Sequence, residues 1–146
     1  MESPLCGYLY AVEQALEVEG VWTDVWHAAA RHHDGERRHV GIIEWSNTNR
    51  ANTRPWPGGL TFARFPDGWV YTDVPYSGVP ERYEALPLDR WAAPEDVATT
   101  VRHFLAHGPD QVPSPASSRS WEGAEEAQAA LDHLAQSPNG YDRFVA

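Results

Sequence analysis

Residues 58–75 read GGLTFARFPDGWVYTDVP, and this stretch decides the fold. Two short runs rich in β-branched and aromatic residues flank the turn Pro66-Asp67-Gly68, a combination typical of a β-hairpin. Apolar side chains occupy both alternating sets of positions on each run, so both faces of the hairpin are expected to be at least partly covered. We therefore predict a central pair of antiparallel strands with one face under helices.

A second hairpin is predicted upstream, over about residues 24–45. The segment 21–33 is ambiguous, because its alanines favour a helix while its Val, Trp and Thr residues favour a strand. The turn dipeptide Asp34-Gly35 and the β-like run 38–45 that follows it favour the strand. The chain therefore contains two predicted hairpins in succession.

Three helices are predicted around these strands. The first runs from about Pro4 to Val18, with its apolar residues at helical spacing. The second starts at Pro94 and ends at Gly108, which precedes a proline. The third covers about residues 121–135 and has a thin, alanine-rich apolar face, so we expect it to dock as a satellite or to serve a partner.

The predicted fold class is α+β. An antiparallel sheet of four to five strands, two hairpins plus an edge strand over Leu86–Trp91, is packed by the N-terminal helix and by the helix after the sheet. We predict a core domain at residues 1–108, a Pro/Ser-rich linker at 109–120 and a C-terminal helix and tail at 121–146. A chain of 146 residues is long enough to bury such a core.

Composition argues against several function classes. A formal net charge of −10 argues against binding a duplex by general attraction to phosphate. All 11 basic residues are arginine, so no Schiff-base or P-loop lysine exists, and the single Cys6 excludes an internal disulfide. No apolar run approaches the roughly 18 residues of a membrane span, and the N-terminus lacks a secretory signal pattern. The sequence therefore predicts a cytoplasmic protein that does not bind membranes.

The histidines between residues 27 and 39 are the candidate metal ligands. Across the predicted Asp34-Gly35 turn, His32 or His33 would lie near His39, which supplies two imidazole ligands. A zinc site needs a third protein ligand, and the pattern identifies none. We therefore predict no metal and no cofactor, with His32, His33 and His39 as the candidates if a site exists.

The loop at residues 46–58 is the candidate binding segment. It is longer than a typical connection, and such loops are often functional. Arg50 and Arg54 suit carboxylate or phosphate groups, and Trp56 suits stacking. A tryptophan between two prolines also commonly folds back over the edge of the core, so both interpretations of Trp56 stay open.

Four segments carry a resemblance to a known family: Gly68-Trp69-Val70, Leu86-Pro87-Leu88, Pro94-Glu95-Asp96-Val97 and His103-Phe104-Leu105-Ala106-His107-Gly108. They resemble a family of short actinobacterial domains of unknown function. The resemblance covers about residues 7–108 and implies a helix, β-meander, helix fold, while it supplies no catalytic residues. The same order of elements is similar to that of secretion-chaperone-like folds that bind protein partners.

Three function hypotheses follow, and none assigns a catalytic residue, because no nucleophile elbow, P-loop or dinucleotide-binding motif occurs. The first is a non-enzymatic acidic module of immunity, inhibitor or regulatory type, which contacts a protein through Trp69, Tyr71 and the 46–58 loop. The second is a small enzyme or ligand-binding protein with a histidine-lined pocket. The third is a phage- or host-encoded acidic mimic of nucleic acid that binds a basic protein. The partner and the oligomeric state stay open.

Overall fold

The computed structural model describes residues 3–33, 36–52, 56–73, 83–112 and 119–136. These residues form one helix, five strands and two further helices, which confirms the α+β class and both hairpins. The elements are α1 (Cys6–Val18), β1 (Val25–His33), β2 (Glu36–Trp45), β3 (Leu60–Phe65), β4 (Gly68–Thr72), β5 (Glu84–Ala85), α2 (Pro94–His107) and α3 (Ala124–Gln136).

The five strands form one sheet in the order β1-β2-β3-β4-β5, and every neighbouring pair is antiparallel. In the central hairpin Arg64 pairs with Trp69, and on the other side of β3 it pairs with Gly41 of β2. Paired residues in a sheet project to the same face. Gly41, Arg64 and Trp69 therefore form one row across three strands.

The two faces of the sheet are covered differently, as the hairpin sequence predicts. The larger hydrophobic cluster joins residues such as Phe62 and Trp69 of the sheet to the apolar faces of α1 and α2. A smaller cluster lies on the opposite face, because successive strand residues alternate between faces. It consists of Ala29, Val40, Ile42 and Ala63, with Phe65, Val70 and Tyr83 packed against it.

The helix ends follow from local hydrogen bonds. Before α1, Ser3 Oγ accepts a hydrogen bond from the Leu5 amide at 3.2 Å, and the Ser3 carbonyl accepts one from the Cys6 amide at 2.9 Å. This serine therefore caps a turn that precedes the helix, and α1 begins later than the predicted Pro4. At the end of α2, Gly108 has a φ of 80° and its amide donates to the Phe104 carbonyl, as a helix-terminating glycine does.

The position predicted for the edge strand is wrong. The fifth strand is Glu84–Ala85, which pairs with β4, and the predicted segment Leu86–Trp91 follows it without regular strand geometry. The Leu86 amide still donates to the Trp69 carbonyl at 2.9 Å. The Trp69 amide donates to the Leu88 carbonyl at 3.2 Å, so Leu86 and Leu88 both bond to Trp69 and the regular one-to-one register of a strand is lost around Pro87.

Helix α3 packs on the main core. Ala127 and Leu131 are buried and belong to the same hydrophobic cluster as α1 and α2. The Trp91 indole nitrogen donates to Gln128 Oε1 at 2.9 Å, and the Trp91 ring stacks with that of Trp121. The third helix therefore docks in cis, while the division of the chain into a core domain and a C-terminal segment stays a prediction.

Across the described residues no helix is both long and apolar enough to cross a membrane. The cytoplasmic location stays a prediction.

Candidate functional site

A cavity of about 530 Å³ opens at one end of the sheet, beside the turn that joins β3 to β4. Strand β2, the β3–β4 turn, the segment before α2 and the helix α3 all contribute to its wall. We call it the arginine cavity, because three of its lining residues are arginines. It is lined by Arg38, His39, Arg64, Pro66, Asp67, Arg90, Gln128, Leu131, Asp132 and Ala135.

Arg64 is the central cation of this cavity. It alternates with Phe62 along β3, so it projects to the helix-covered face, and only 1% of its surface is exposed. Its Nε donates to the Arg90 carbonyl at 2.9 Å, and its guanidinium carbon lies 4.2 Å from the centre of a Trp91 ring. Among the described residues, no acceptor lies within hydrogen-bonding reach of its buried Nη2 atom.

The charge of Arg64 persists in this setting. Burial lowers the pKa of Arg64 to about 10; the nearby Tyr8 phenol opposes this shift and the Arg90 guanidinium adds to it. The guanidinium is therefore positive at neutral pH, because pH 7 lies well below that value. Within the described segments no carboxylate forms an ion pair with it. A buried charge without an opposite charge destabilises a fold unless something else compensates for it.

Tyr8 lies next to Arg64 and is neutral. Its hydroxyl donates to the Ala92 carbonyl at 2.6 Å and accepts from the Trp69 indole nitrogen at 3.2 Å. Burial raises the pKa of Tyr8, so its phenol does not ionise at neutral pH and supplies no negative charge to the cavity.

His39 lines the same cavity as a neutral group. Its side chain is 3% exposed, and its Nδ1 lies 3.0 Å from Ser3 Oγ. Burial lowers the pKa of His39 to about 4, and the positive charge of Arg64 adds to this effect. At neutral pH the ring is therefore an uncharged hydrogen-bonding group.

The outer wall carries charges of both signs. Arg38 Nη1 lies 3.8 Å from Asp67 Oδ2, and the Asp67 side chain is 92% exposed, so this contact is weak. Arg90 and Asp132 are exposed residues on the same wall. Among the described residues that line the cavity there are three arginines and two aspartates, in a chain whose formal net charge is −10.

The residues predicted for binding do not form one exposed surface. Trp56 is buried. Its indole nitrogen donates to the Phe104 carbonyl at 2.6 Å, and its ring stacks on that of Phe104. Of the two interpretations of Trp56, the position matches the one in which it folds back over the edge of the core. Trp69 is also buried, and Tyr71 is half-buried with its ring edge against Phe104. Arg50 is exposed, and the position predicted for Arg54 lies outside the described residues. Their roles in binding stay predictions.

The candidate metal ligands are spread along the first hairpin. His39 pairs with Ala30, whereas His32 pairs with Arg37 and His33 with Glu36. The side chains of His32 and His33 lie outside the described part of the chain. Among the side chains that the structure describes, no three His, Cys, Asp or Glu residues converge as metal ligands.

Sequence reasoning missed the three arginines of the cavity. A signal for Arg64 was present, because it follows Leu60 and Phe62 at alternating positions and so occupies the inward register of a buried strand. Arg38 and Arg90 carry no such signal, since only the tertiary fold brings them to the same cavity.

Comparison with known proteins finds no matching family model, no matching curated protein and no matching solved structure. The resemblance to short actinobacterial domains stays a prediction.

Proposed function

We propose that this protein binds an anionic ligand in the arginine cavity. The observation that carries the proposal is Arg64, which is buried and charged and whose Nη2 meets no acceptor among the described residues. An oxyanion that enters the cavity supplies both the missing acceptor and the missing negative charge. The proposal develops the hypothesis of a ligand-binding protein, with arginine in place of histidine as the principal group.

The surroundings of Arg64 support recognition of an oxyanion. A guanidinium presents its donors in one plane and binds carboxylate or phosphate oxygens in a fixed geometry. The stack on Trp91 and the hydrogen bond to the Arg90 carbonyl hold that plane in place before any ligand arrives. Such preorganisation lowers the entropy lost on binding. The neutral His39 adds a hydrogen-bonding group to the same wall.

Calorimetric titration of the purified protein with acetate, benzoate and inorganic phosphate tests this function. We expect the wild-type protein to bind at least one of these anions and the Arg64→Met variant to bind none. Arg102→Met is the matched control, because Arg102 is an exposed arginine of α2 whose partner is Glu19 and which does not line the cavity. Equal binding by wild type and Arg64→Met, or no binding by the wild type, would overturn the proposal.

A second candidate function is the recognition of a protein partner, which the sequence predicts. Three apolar residues at the connection between α1 and β1 are exposed: Val18 by 86%, Trp22 by 63% and Val25 by 46%. Asn49 of the 46–58 loop donates from Nδ2 to the Trp22 carbonyl at 2.9 Å, so the loop and this connection are joined. Exposed apolar residues grouped beside a long surface loop favour a protein contact.

Affinity capture from the native lysate tests this second function. We expect wild-type protein to retain one protein at a stoichiometric level and the Trp22→Ser variant to lose it. Tyr10→Ser is the control, because Tyr10 is an equally exposed aromatic residue, 58%, on α1. Capture of nothing by the wild type would count against a partner, and a strongly salt-sensitive complex with a basic protein would favour the nucleic-acid mimic instead.

A further inference from the structure

Arg90 lies beside Arg64 in the wall of the arginine cavity. The backbone carbonyl of Arg90 accepts the hydrogen bond from Arg64 Nε at 2.9 Å, and both residues line the cavity. The positive charge of the Arg90 guanidinium lowers the pKa of Arg64, as a like charge does at short range. Two guanidinium groups therefore act on the same part of the cavity.

Within the described part of the chain, neither of these two arginines forms an ion pair with a carboxylate. The two aspartates of the wall have other contacts. Asp67 Oδ2 lies 3.8 Å from Arg38 Nη1. Asp132 Oδ1 accepts a hydrogen bond from Gln128 Nε2 at 2.9 Å. Because like charges repel more strongly where solvent is partly excluded, an anion bound between the two guanidinium groups would replace a repulsion by two attractions.

We propose that the ligand of the arginine cavity is a phosphomonoester, whose dianionic phosphate group binds between Arg64 and Arg90. This inference rests on the proposed function. A phosphate ester carries close to two negative charges at neutral pH and has three terminal oxygens that accept hydrogen bonds. It can therefore accept from both guanidinium groups at once, and arginine is well suited to phosphate oxygens.

The two arginines have different parts in this binding. Arg64 is held by its stack on Trp91, and its Nε is already bonded to the Arg90 carbonyl, so its Nη atoms meet the phosphate. One of them, Nη2, has no acceptor among the described residues. Arg90 is exposed, so its flexible side chain can close on the phosphate after entry. Arg64 thus binds an oxyanion of either charge, and Arg90 selects for the second negative charge.

The volume of the cavity favours an organic ester over inorganic phosphate. Clefts that hold whole small molecules measure about 300–1,000 Å³, and the arginine cavity measures about 530 Å³. Pro66, Leu131 and Ala135 add apolar surface to its wall. The esterified group therefore has both space and apolar contacts.

Calorimetric titration with two esters of the same shape tests the selection for charge. Methyl phosphate and methyl sulfate both have three terminal oxygens, but at about pH 8 the first is a dianion, since its second pKa is about 6, and the second is a monoanion. We expect the wild-type protein to bind methyl phosphate about ten- to a hundredfold more tightly, the ratio that one charge-assisted hydrogen bond contributes. Phenyl phosphate should bind more tightly than inorganic phosphate, because its ring contacts the apolar part of the wall.

The variant Arg90→Met tests the second cation. It removes the guanidinium but keeps the backbone carbonyl that accepts from Arg64 Nε, and the exposed side chain makes it expected to fold. We expect its affinities for methyl phosphate and methyl sulfate to be nearly equal. Arg102→Met is the matched control, because it changes the net charge of the chain by the same amount at a position outside the cavity. This control should keep the wild-type preference.

The outcomes separate this inference from the proposed function. Equal binding of the two methyl esters by the wild type, a preference that Arg90→Met leaves unchanged, or binding of acetate without methyl phosphate overturns the phosphomonoester and leaves the anion site intact. Binding of inorganic phosphate at least as tight as that of phenyl phosphate overturns the organic ester alone. Binding of methyl phosphate that Arg64→Met leaves unchanged, or no binding of any anion, overturns both.

Discussion

Arg64 lies over Trp91, with its guanidinium carbon 4.2 Å from the centre of an indole ring. The same indole donates through its nitrogen to Gln128 of α3, and Leu131 of that helix lines the arginine cavity. The buried cation and the helix that walls its cavity are thus held by one aromatic side chain. A cation over an indole face is favourable, but it does not replace a counter-ion.

We predict that Arg64→Met keeps or raises the free energy of unfolding while it abolishes anion binding. Replacing a buried charged group by an apolar one of similar size is often neutral or stabilising by about 1–4 kcal/mol, and the lost hydrogen bond to Arg90 offsets about 1 kcal/mol of this. Urea unfolding measures the difference. Arg102→Met should change stability by less than about 0.5 kcal/mol. A loss of more than about 2 kcal/mol in Arg64→Met would mark Arg64 as a structural residue.

We predict that His39 makes the protein less stable in acid. Because burial lowers the pKa of His39 to about 4, the unfolded chain, with a pKa near 6.5, takes up a proton before the folded protein does. The free energy of unfolding should therefore fall between pH 6.5 and pH 4, by up to about 3 kcal/mol from this group, and this loss should not grow further below pH 4.

Comparison with His39→Gln isolates this contribution, since glutamine keeps hydrogen-bonding capacity and does not titrate. Urea unfolding at several pH values should show a shallower slope for the variant in the same window. Parallel slopes would contradict the prediction. The other charged groups on the cavity wall are common to both proteins; they are Arg38, Arg64, Asp67, Arg90 and Asp132.

We predict opposite consequences for two tryptophans. Trp56→Ala should lower the free energy of unfolding by about 3–5 kcal/mol, because it removes a buried ring stacked on Phe104 and a hydrogen bond to the Phe104 carbonyl. Trp22→Ala should change it by less than about 0.5 kcal/mol, because that side chain is 63% exposed. Chemical denaturation measures both. If Trp56→Ala also changes the free energy of unfolding only slightly, the prediction is wrong and Trp56 behaves as a surface residue.

We predict that Gly59→Ala destabilises the fold more than Gly20→Ala. Both glycines have a positive φ, 97° and 74°, a backbone conformation that alanine rarely adopts. A Cβ on Gly59 would lie 2.9 Å from the Trp45 carbonyl oxygen, whereas one on Gly20 would meet nothing within 4 Å. We expect about 1–2 kcal/mol for Gly20→Ala and at least about 1 kcal/mol more for Gly59→Ala. Equal thermal unfolding of the two variants would contradict this.

The sequence predicts most of the fold because local signals agree with one another. The turn sequences Asp34-Gly35 and Pro66-Asp67-Gly68 lie between runs of β-forming residues, and the flanking strands pair in both cases, β1 with β2 and β3 with β4. The fifth strand was misplaced because Pro87 was compatible with an edge strand, while the pairing depends on β4. The β-propensity of a segment does not show which residues will pair with β4.

The site was harder to predict than the fold. Trp56 is buried because it packs against Phe104, which lies 48 residues further along the chain, and local sequence does not indicate that contact. Arg38, Arg64 and Arg90 come from three separate segments, and each alone is compatible with a solvent-facing arginine. Only Arg64 has a local sequence signal, because it is a charged residue at an inward-facing position of a buried strand.

The contrast between the arginine cavity and the rest of the molecule has a kinetic consequence. The chain as a whole carries a net charge of −10, so an approaching anion is repelled until it is close to the cavity. Salt screens this long-range repulsion over about 10 Å at 0.1 M, but it screens the contact with a buried guanidinium much less. Moderate salt should therefore raise the association rate constant of an anionic ligand. The net negative charge of the chain, and not only the cavity itself, then sets how fast the ligand enters.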